Sequence, residues 1–187
     1  MRKIVVVEYL SLDGVIEDPG PTGTFEHRGW TMPYWCDEIG AWQADQLFAS
    51  DALLLGRVTY EEFAAVWPQR SGDPFTDRMN SLPKHVVSTS AQGPLEWGAT
   101  LLDGDPIAAV AALKEQAGDD ILIYGSAQLV NALMGRELID EYRLLIYPVV
   151  LGSGERLFRD GDQKTLELVR TETARTGVVM LILEPAK

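Results

Sequence analysis

The feature that most constrains the fold is a unit that recurs along the chain. A short apolar run is followed by a glycine and then by a stretch with helical apolar spacing. Residues 52–55 run into Gly56 and then 59–67, and residues 121–124 run into Gly125 and then 127–134. Strands that are apolar throughout are buried on both faces, so such units predict a mostly parallel sheet covered by helices on both sides. Residues 4–7 form another such run, which puts the start of the chain inside that sheet.

The remaining elements fit the same α/β plan. Residues 33–50 carry Trp35, Ile39, Trp42, Leu47 and Phe48 near helical spacing. Asp73-Pro74 has the form of an N-cap followed by proline at the first helical position, and 85–88 reads as a strand. A helix is expected over 106–116, closed by Gly118, and a long strand over 141–151. Two extended segments, 164–173 and 178–184, flank residues 174–177 and predict a C-terminal antiparallel hairpin, so the sheet is mixed. Residues 11–29, with Asp13-Gly14, Pro19-Gly20 and Pro21, read as a long loop and a lid candidate. No repeat, linker or low-complexity tract interrupts the chain, so one domain over 1–187 is expected.

Composition narrows the function. The 187 residues carry a formal charge of −12, which opposes binding to a polyanion and excludes nucleic acid as the expected partner. Cys36 is the only cysteine, and His27 and His85 are the only histidines, so no disulfide and no metal site are expected. No apolar run has the ~20 residues of a membrane span or the form of a signal segment, and a cytoplasmic location with no membrane partner is the expectation.

Chemistry is expected where strands hand over to helices. Thr59 and Glu62 have the spacing of a capping box, which predicts a helix starting at Thr59, with Arg57 beside its N–H groups as a phosphate-binding fork. Gly125-Ser126 makes a second such start, at the same end of a parallel sheet. Two anion sites on one rim suit a dinucleotide. GxGxxG is absent, which disfavours a Rossmann domain, and without GxSxG a hydrolase is disfavoured too. Trp30, Trp35 and Trp42 lie with Phe25 and Tyr34 on and before one helix and form a possible aromatic wall for a flat substrate. Asp37, Glu38 and Asp45 are the weak candidates for a catalytic acid there; core packing and solvated carboxylates are the competing readings.

Five motifs in sequence order, Tyr9-Leu10-Ser11-Leu12-Asp13-Gly14, Leu55-Gly56-Arg57-Val58-Thr59-Tyr60-Glu61, Val86-Val87-Ser88-Thr89-Ser90, Tyr124-Gly125-Ser126-Ala127-Gln128-Leu129 and residues 148–158, carry a resemblance over nearly the whole chain. The sequence resembles the dihydrofolate reductase superfamily, and within it stand-alone proteins similar to the RibD C-terminal reductase domain of riboflavin biosynthesis. The resemblance implies a three-layer αβα fold with a mixed, mostly parallel central sheet. It also implies NADPH as cofactor, with Gly56, Arg57 and Thr59 on its phosphates and Arg57 near the 2′-phosphate. Ser88, Thr89 and Ser90 would line the adenosine ribose, Gly125, Ser126, Ala127, Gln128 and Leu129 the pyrophosphate, and Asp13 and Gly14 the nicotinamide. The 151–158 segment, with Gly152 and Gly154, would close the substrate pocket or a dimer contact. Many relatives have Gly-Gly where this chain has Gly125-Ser126. Folate-reducing members place an acid on the helix after the loop, but the matching position here falls near Gly40, so dihydrofolate is not the expected substrate.

The function expected from residues and resemblance together is an NADPH-dependent reductase, similar to dihydrofolate reductase or 5-amino-6-(5-phosphoribosylamino)uracil reductase. It would pass a hydride to a small pterin-like or flavin-precursor-like heterocycle. A non-catalytic nucleotide-binding or small-ligand-binding protein, or a purely structural dimer module, are the alternatives. A homodimer is expected, because an unpaired hairpin edge is usually covered.

Overall fold

The computed structural model describes residues 1–161 and 163–186. Its centre is β1 (Ile4–Leu10), whose Ile4, Val5 and Val6 have no exposed surface. Strand β2 (Ser50–Gly56), helix α2 (Arg57–Val66), helix α3 (Pro74–Ser81) and strands β3 (Lys84–Val87) and β4 (Ala99–Leu101) extend the sheet to one side. Helix α4 (Pro106–Lys114), β5 (Asp120–Tyr124), α5 (Ala127–Met134) and β6 (Glu141–Ile146) complete the parallel part. The final strands, β7 (Leu166–Thr173) and β8 (Val179–Pro185), pair antiparallel, and β8 pairs antiparallel with β6. The strand order is β4-β3-β2-β5-β1-β6-β8-β7.

Period-two alternation splits the core into two layers around this sheet. Ile4 and Val6 pack with Val110 and Leu113 of α4 and with Val130 and Leu133 of α5. Val5 and Val7 face the other way, against Ile39 and Leu47 of α1 (Asp37–Phe48), Tyr60 of α2 and Met79 of α3. The result is a three-layer αβα sandwich with a mixed, mostly parallel sheet and a C-terminal antiparallel hairpin.

Several expected boundaries move for physical reasons. The strand expected over 141–151 stops at Ile146, and Pro148, which has no N–H to give a ladder, turns the chain away so that Leu12 N–H bonds to the Val149 carbonyl at 2.7 Å. The helix expected from 33 begins only at Asp37, because Pro33 lies in a separate 3-10 turn, Met32–Tyr34. Strand β4 was not expected, since its three residues alternate too briefly to read as a strand. Among the described residues no helix is long and apolar enough to cross a membrane.

Candidate functional site

All the parallel strands end on one edge of the sheet, and β3, β2, β5 and β1 together with their following segments form the floor of one cleft there, of ≈ 1370 Å³. A single small-ligand pocket holds roughly 300–1,000 Å³, so this cleft has room for two ligands side by side.

At its centre the starts of α2 and α5 meet. Gly125 and Ser126 are consecutive left-handed residues, with φ of +59° and +62°. That turn swings the Ser126 hydroxyl away from its own helix. Its Oγ accepts from the Gly56 N–H at 2.9 Å and donates to Thr59 Oγ1 at 3.0 Å. A Cβ on Gly125 would lie 2.9 Å from Thr59 Oγ1, so that glycine is needed for this approach, and one on Gly56 would lie 3.1 Å from Ser126 Oγ, a tight fit. The capping box expected from Thr59 and Glu62 does not form. Helix α2 starts two residues earlier, at Arg57, with Gly56 as its N-cap, and the Thr59 hydroxyl serves the contact with Ser126.

The four helices that begin next to this sheet edge or behind it are finished differently. In α3 and α4 an aspartate caps the first turn, Asp73 accepting from Thr76 N at 2.9 Å and Asp105 from Ala108 N at 2.8 Å. All four starts contribute lining residues to the cleft, and of them α2 and α5 have no side-chain cap. Their N–H groups and dipoles therefore give this part of the cleft a positive potential, which favours an anion. Arg57 stands at the α2 start, exposed and paired with Glu61 through two 2.9 Å hydrogen bonds. Arg57 and Arg70 are the basic side chains among the described lining residues.

Toward β1 the floor changes character. Glu8 is 6 % exposed, and its Oε1 has no hydrogen-bond partner. Burial pushes its carboxyl well above the usual range, the Gly125 backbone amide opposes this, and Glu155 adds to it. The Tyr124 hydroxyl and Gln43 Nε2 are also buried without partners, and burial raises the Tyr124 phenol. All three residues line the cleft. Tyr147 completes the floor and packs edge-on against Tyr9 and Trp30 at 5.9 and 5.3 Å. Sequence reasoning missed Glu8; the only signal was an acid interrupting an otherwise apolar strand run.

Ser88, Thr89, Ser90, Gly56, Arg57, Thr59 and the run Gly125, Ser126, Ala127, Gln128, Leu129 line the cleft, as does Trp35. Other expected residues lie elsewhere. Trp30 and Trp42 belong to the packed core, where the Trp30 indole N–H bonds to the Glu17 carbonyl at 2.9 Å. Asp37, Glu38 and Asp45 point to solvent from α1 and do not line the cleft, because the face of α1 turned inward carries Gly40, Gln43 and Ala44. Asp13, Gly14, Gly152 and Gly154 stand behind the wall. Asp13 accepts from the Leu151 and Gly152 N–H groups at 3.1 and 2.8 Å and from Ser11 Oγ at 2.7 Å, which lowers its carboxyl to about 2. Gly154, at φ +109°, leaves no room for a Cβ, which would fall 2.6 Å from Val15 Cγ1.

The loop expected over 11–29 is fastened along its first part to the segment after β6. Val15 bridges Arg156, Ile16 N–H bonds to the Glu155 carbonyl at 2.8 Å, and Glu155 N–H bonds to Glu17 Oε2 at 2.8 Å. Residues 17–24 then form one wall of the cleft, of which 21–24 are exposed.

The family model of the RibD C-terminal domain matches residues 2–180. The chain belongs to the RibD C-terminal domain family. It is 32% identical over 190 residues to protein YyaP of Bacillus subtilis (strain 168), covering 97% of this chain and 94% of that protein. It is 31% identical over 169 residues to YwjB of the same organism, covering 88% and 87%. Both relatives carry the description "uncharacterized". A crystal structure of a pyrimidine reductase-like protein from Corynebacterium diphtheriae NCTC superposes with a TM-score of 0.65 at 14% identity, covering all of this chain and 92% of the other. That likeness places this RibD C-terminal chain in the dihydrofolate reductase-like fold, and family and fold together are of reductase type.

Proposed function

We propose that the protein is an NADPH-dependent reductase that transfers a hydride to a small heterocycle of pterin or flavin-precursor type. The observation that carries the reading is the contact between Ser126 and Gly56, which sets two uncapped helix starts side by side on one cleft. The residues present fit the cofactor, because free N–H groups and a neighbouring guanidinium meet the needs of a dinucleotide phosphate chain. The start of α5 would hold the pyrophosphate, Arg57 the 2′-phosphate, and Ser88, Thr89 and Ser90 the adenosine ribose. Bound there, the nicotinamide supplies hydride, which the protein itself lacks.

The chain's own part is to orient and to dry the site. Trp35 and Tyr147 offer apolar surface to a flat ring, and the 17–24 wall would help screen it from water. Gln43 and Tyr124 bring buried polar groups that the fold leaves unpaired, and a polar substrate edge would satisfy them. The absence of a carboxylate on the α1 face supports a heterocycle other than dihydrofolate. A homodimer through the β7 edge and a cytoplasmic setting belong to the same reading.

Titration of tryptophan fluorescence with NADPH tests the proposal. Saturable quenching, followed by NADPH oxidation with a heterocycle from a pterin and pyrimidine panel, is the expected result. No saturable binding overturns it, and binding without oxidation of any panel member leaves the non-catalytic alternative.

A further inference from the structure

Glu8 lines the cleft, is deeply buried, and leaves its Oε1 without a hydrogen-bond partner. A buried acceptor left unpaired is costly, and one that lines a cleft is placed to be satisfied by a ligand there. Its surroundings disfavour the charged form. Tyr9 from its own strand, Tyr124 from β5 and Glu155 from the segment after β6 are the titratable groups that act with it, while Arg143 of the neighbouring β6 acts on Tyr124 and is paired with Glu141 and Asp120. The first turn of α5 brings Ala127, Gln128 and Leu129, none of them charged. Desolvation therefore favours the carboxylic acid over the carboxylate.

Strand order fixes where along the cleft this acid stands. The sequence β3, β2, β5, β1 runs from Ser88–Ser90 past Arg57 and then past Gly125 to Glu8. Three strand spacings cover about 14 Å, which an extended dinucleotide spans. With its adenosine at β3 and its pyrophosphate at α5, the far end of that molecule arrives at β1.

Resting on the NADPH reading above, we propose that Glu8 is the acid of the redox end. It faces the reduced nicotinamide with its proton in place and releases that proton when the ring is oxidised and carries positive charge. The substrate's C=N or C=O accepts the hydride at carbon, its π pair moves to the nitrogen or oxygen, and that atom takes the proton leaving Glu8. Glu8 stays behind as a carboxylate opposite a cation, and solvent restores its proton once the oxidised nucleotide departs.

Titration calorimetry of NADPH and of NADP⁺, each in two buffers of different ionisation enthalpy near neutral pH, counts the protons exchanged. NADP⁺ is expected to release about one proton per site more than NADPH. The 2′-phosphate titrates in both nucleotides and cancels in the difference. Wild-type NADP⁺ affinity should rise with pH by up to about tenfold per unit. In Glu8→Gln the difference in protons should vanish and the pH dependence flatten, with NADPH binding retained. Equal proton counts for the two nucleotides on the wild-type protein overturn the role of Glu8 and leave the cofactor reading standing. If neither nucleotide binds the wild type, the cofactor reading falls and takes this proposal with it. The wild-type count decides the matter even if the variant does not fold.

Discussion

Ser126 Oγ sits between the backbone N–H of Gly56, at 2.9 Å, and Thr59 Oγ1, at 3.0 Å, and so joins the starts of two helices separated by about seventy residues of chain. The serine holds a left-handed backbone to do so, at φ +62°. For an L-residue that conformation costs about 1–2 kcal/mol, which two hydrogen bonds of about 1 kcal/mol each offset.

Ser126→Ala keeps the backbone cost and removes both bonds, leaving the Gly56 N–H without its partner. Its stability is expected to fall by about 1–3 kcal/mol in urea unfolding. Ser126→Gly relieves the backbone and should be clearly less destabilised than the alanine variant. Equal losses would show that the left-handed backbone at this position carries no cost, and an unchanged alanine variant would show that the hydroxyl does not join the two helices.

Arg57→Ala should weaken NADPH binding by roughly 10- to 100-fold, the range expected when a charge-assisted hydrogen bond is lost. NADH, which has no 2′-phosphate, should bind the variant and the wild type alike. Fluorescence titration with both nucleotides checks this, and unchanged NADPH affinity removes Arg57 from the phosphate site.

Gly125→Ala should be destabilised by at least about 1–2 kcal/mol, because its φ of +59° disfavours any side chain. The new Cβ also meets Thr59 Oγ1 at 2.9 Å. Pairing it with Thr59→Ala opens space, and partial recovery of the melting temperature in the double variant is the expected sign of that clash.

Asp13 has a carboxyl lowered to about 2 in the folded state, against ~3.9 for an unfolded chain. A lowered acid stabilises the fold above the unfolded value and loses that contribution as pH falls from about 4 toward 2. Asp13→Asn should therefore cost on the order of 1 kcal/mol at neutral pH, allowing for solvent screening of a partly exposed group. The gap between variant and wild type in acid unfolding should close by about pH 2. A constant gap across that range would mean that the charge on Asp13 does not hold the 151–152 amides.

Strand β7 lies at the edge of the sheet with Leu168 and Val169 more than half exposed. Pairing of two copies along this edge is the expected outcome in light scattering at micromolar concentration. Leu168→Lys should then shift the mass toward the monomer value of 20.7 kDa.

The parallel sheet was legible because burial on both faces writes itself as unbroken apolar runs, and residues 52–55 and 121–124 show it without help from the rest of the chain. The edge that carries the cleft followed, since Gly56 and Gly125 mark the ends of two such runs. The acids were not legible. Asp37 and Glu38 are conspicuous in sequence but occupy the exposed first turn of α1, whereas Glu8 is enclosed by segments that only the tertiary fold brings together. The tryptophans divide for a related reason: spacing shows that Trp35 and Trp42 share a helical region, but that Trp35 lines the cleft while Trp42 joins the core depends on how the elements pack.

The fastening of residues 13–17 to 151–157 has a kinetic consequence. Backbone hydrogen bonds and the Asp13 carboxylate make these two segments one body, so the stretch free to swing is the short tip at 21–24. A flap of that size fluctuates in nanoseconds to microseconds, far faster than a turnover of ordinary speed. If the proposed reduction takes place here, passage of small molecules past the tip is not expected to limit it, and shortening the tip should alter how tightly solvent is shut out more than how quickly the site refills.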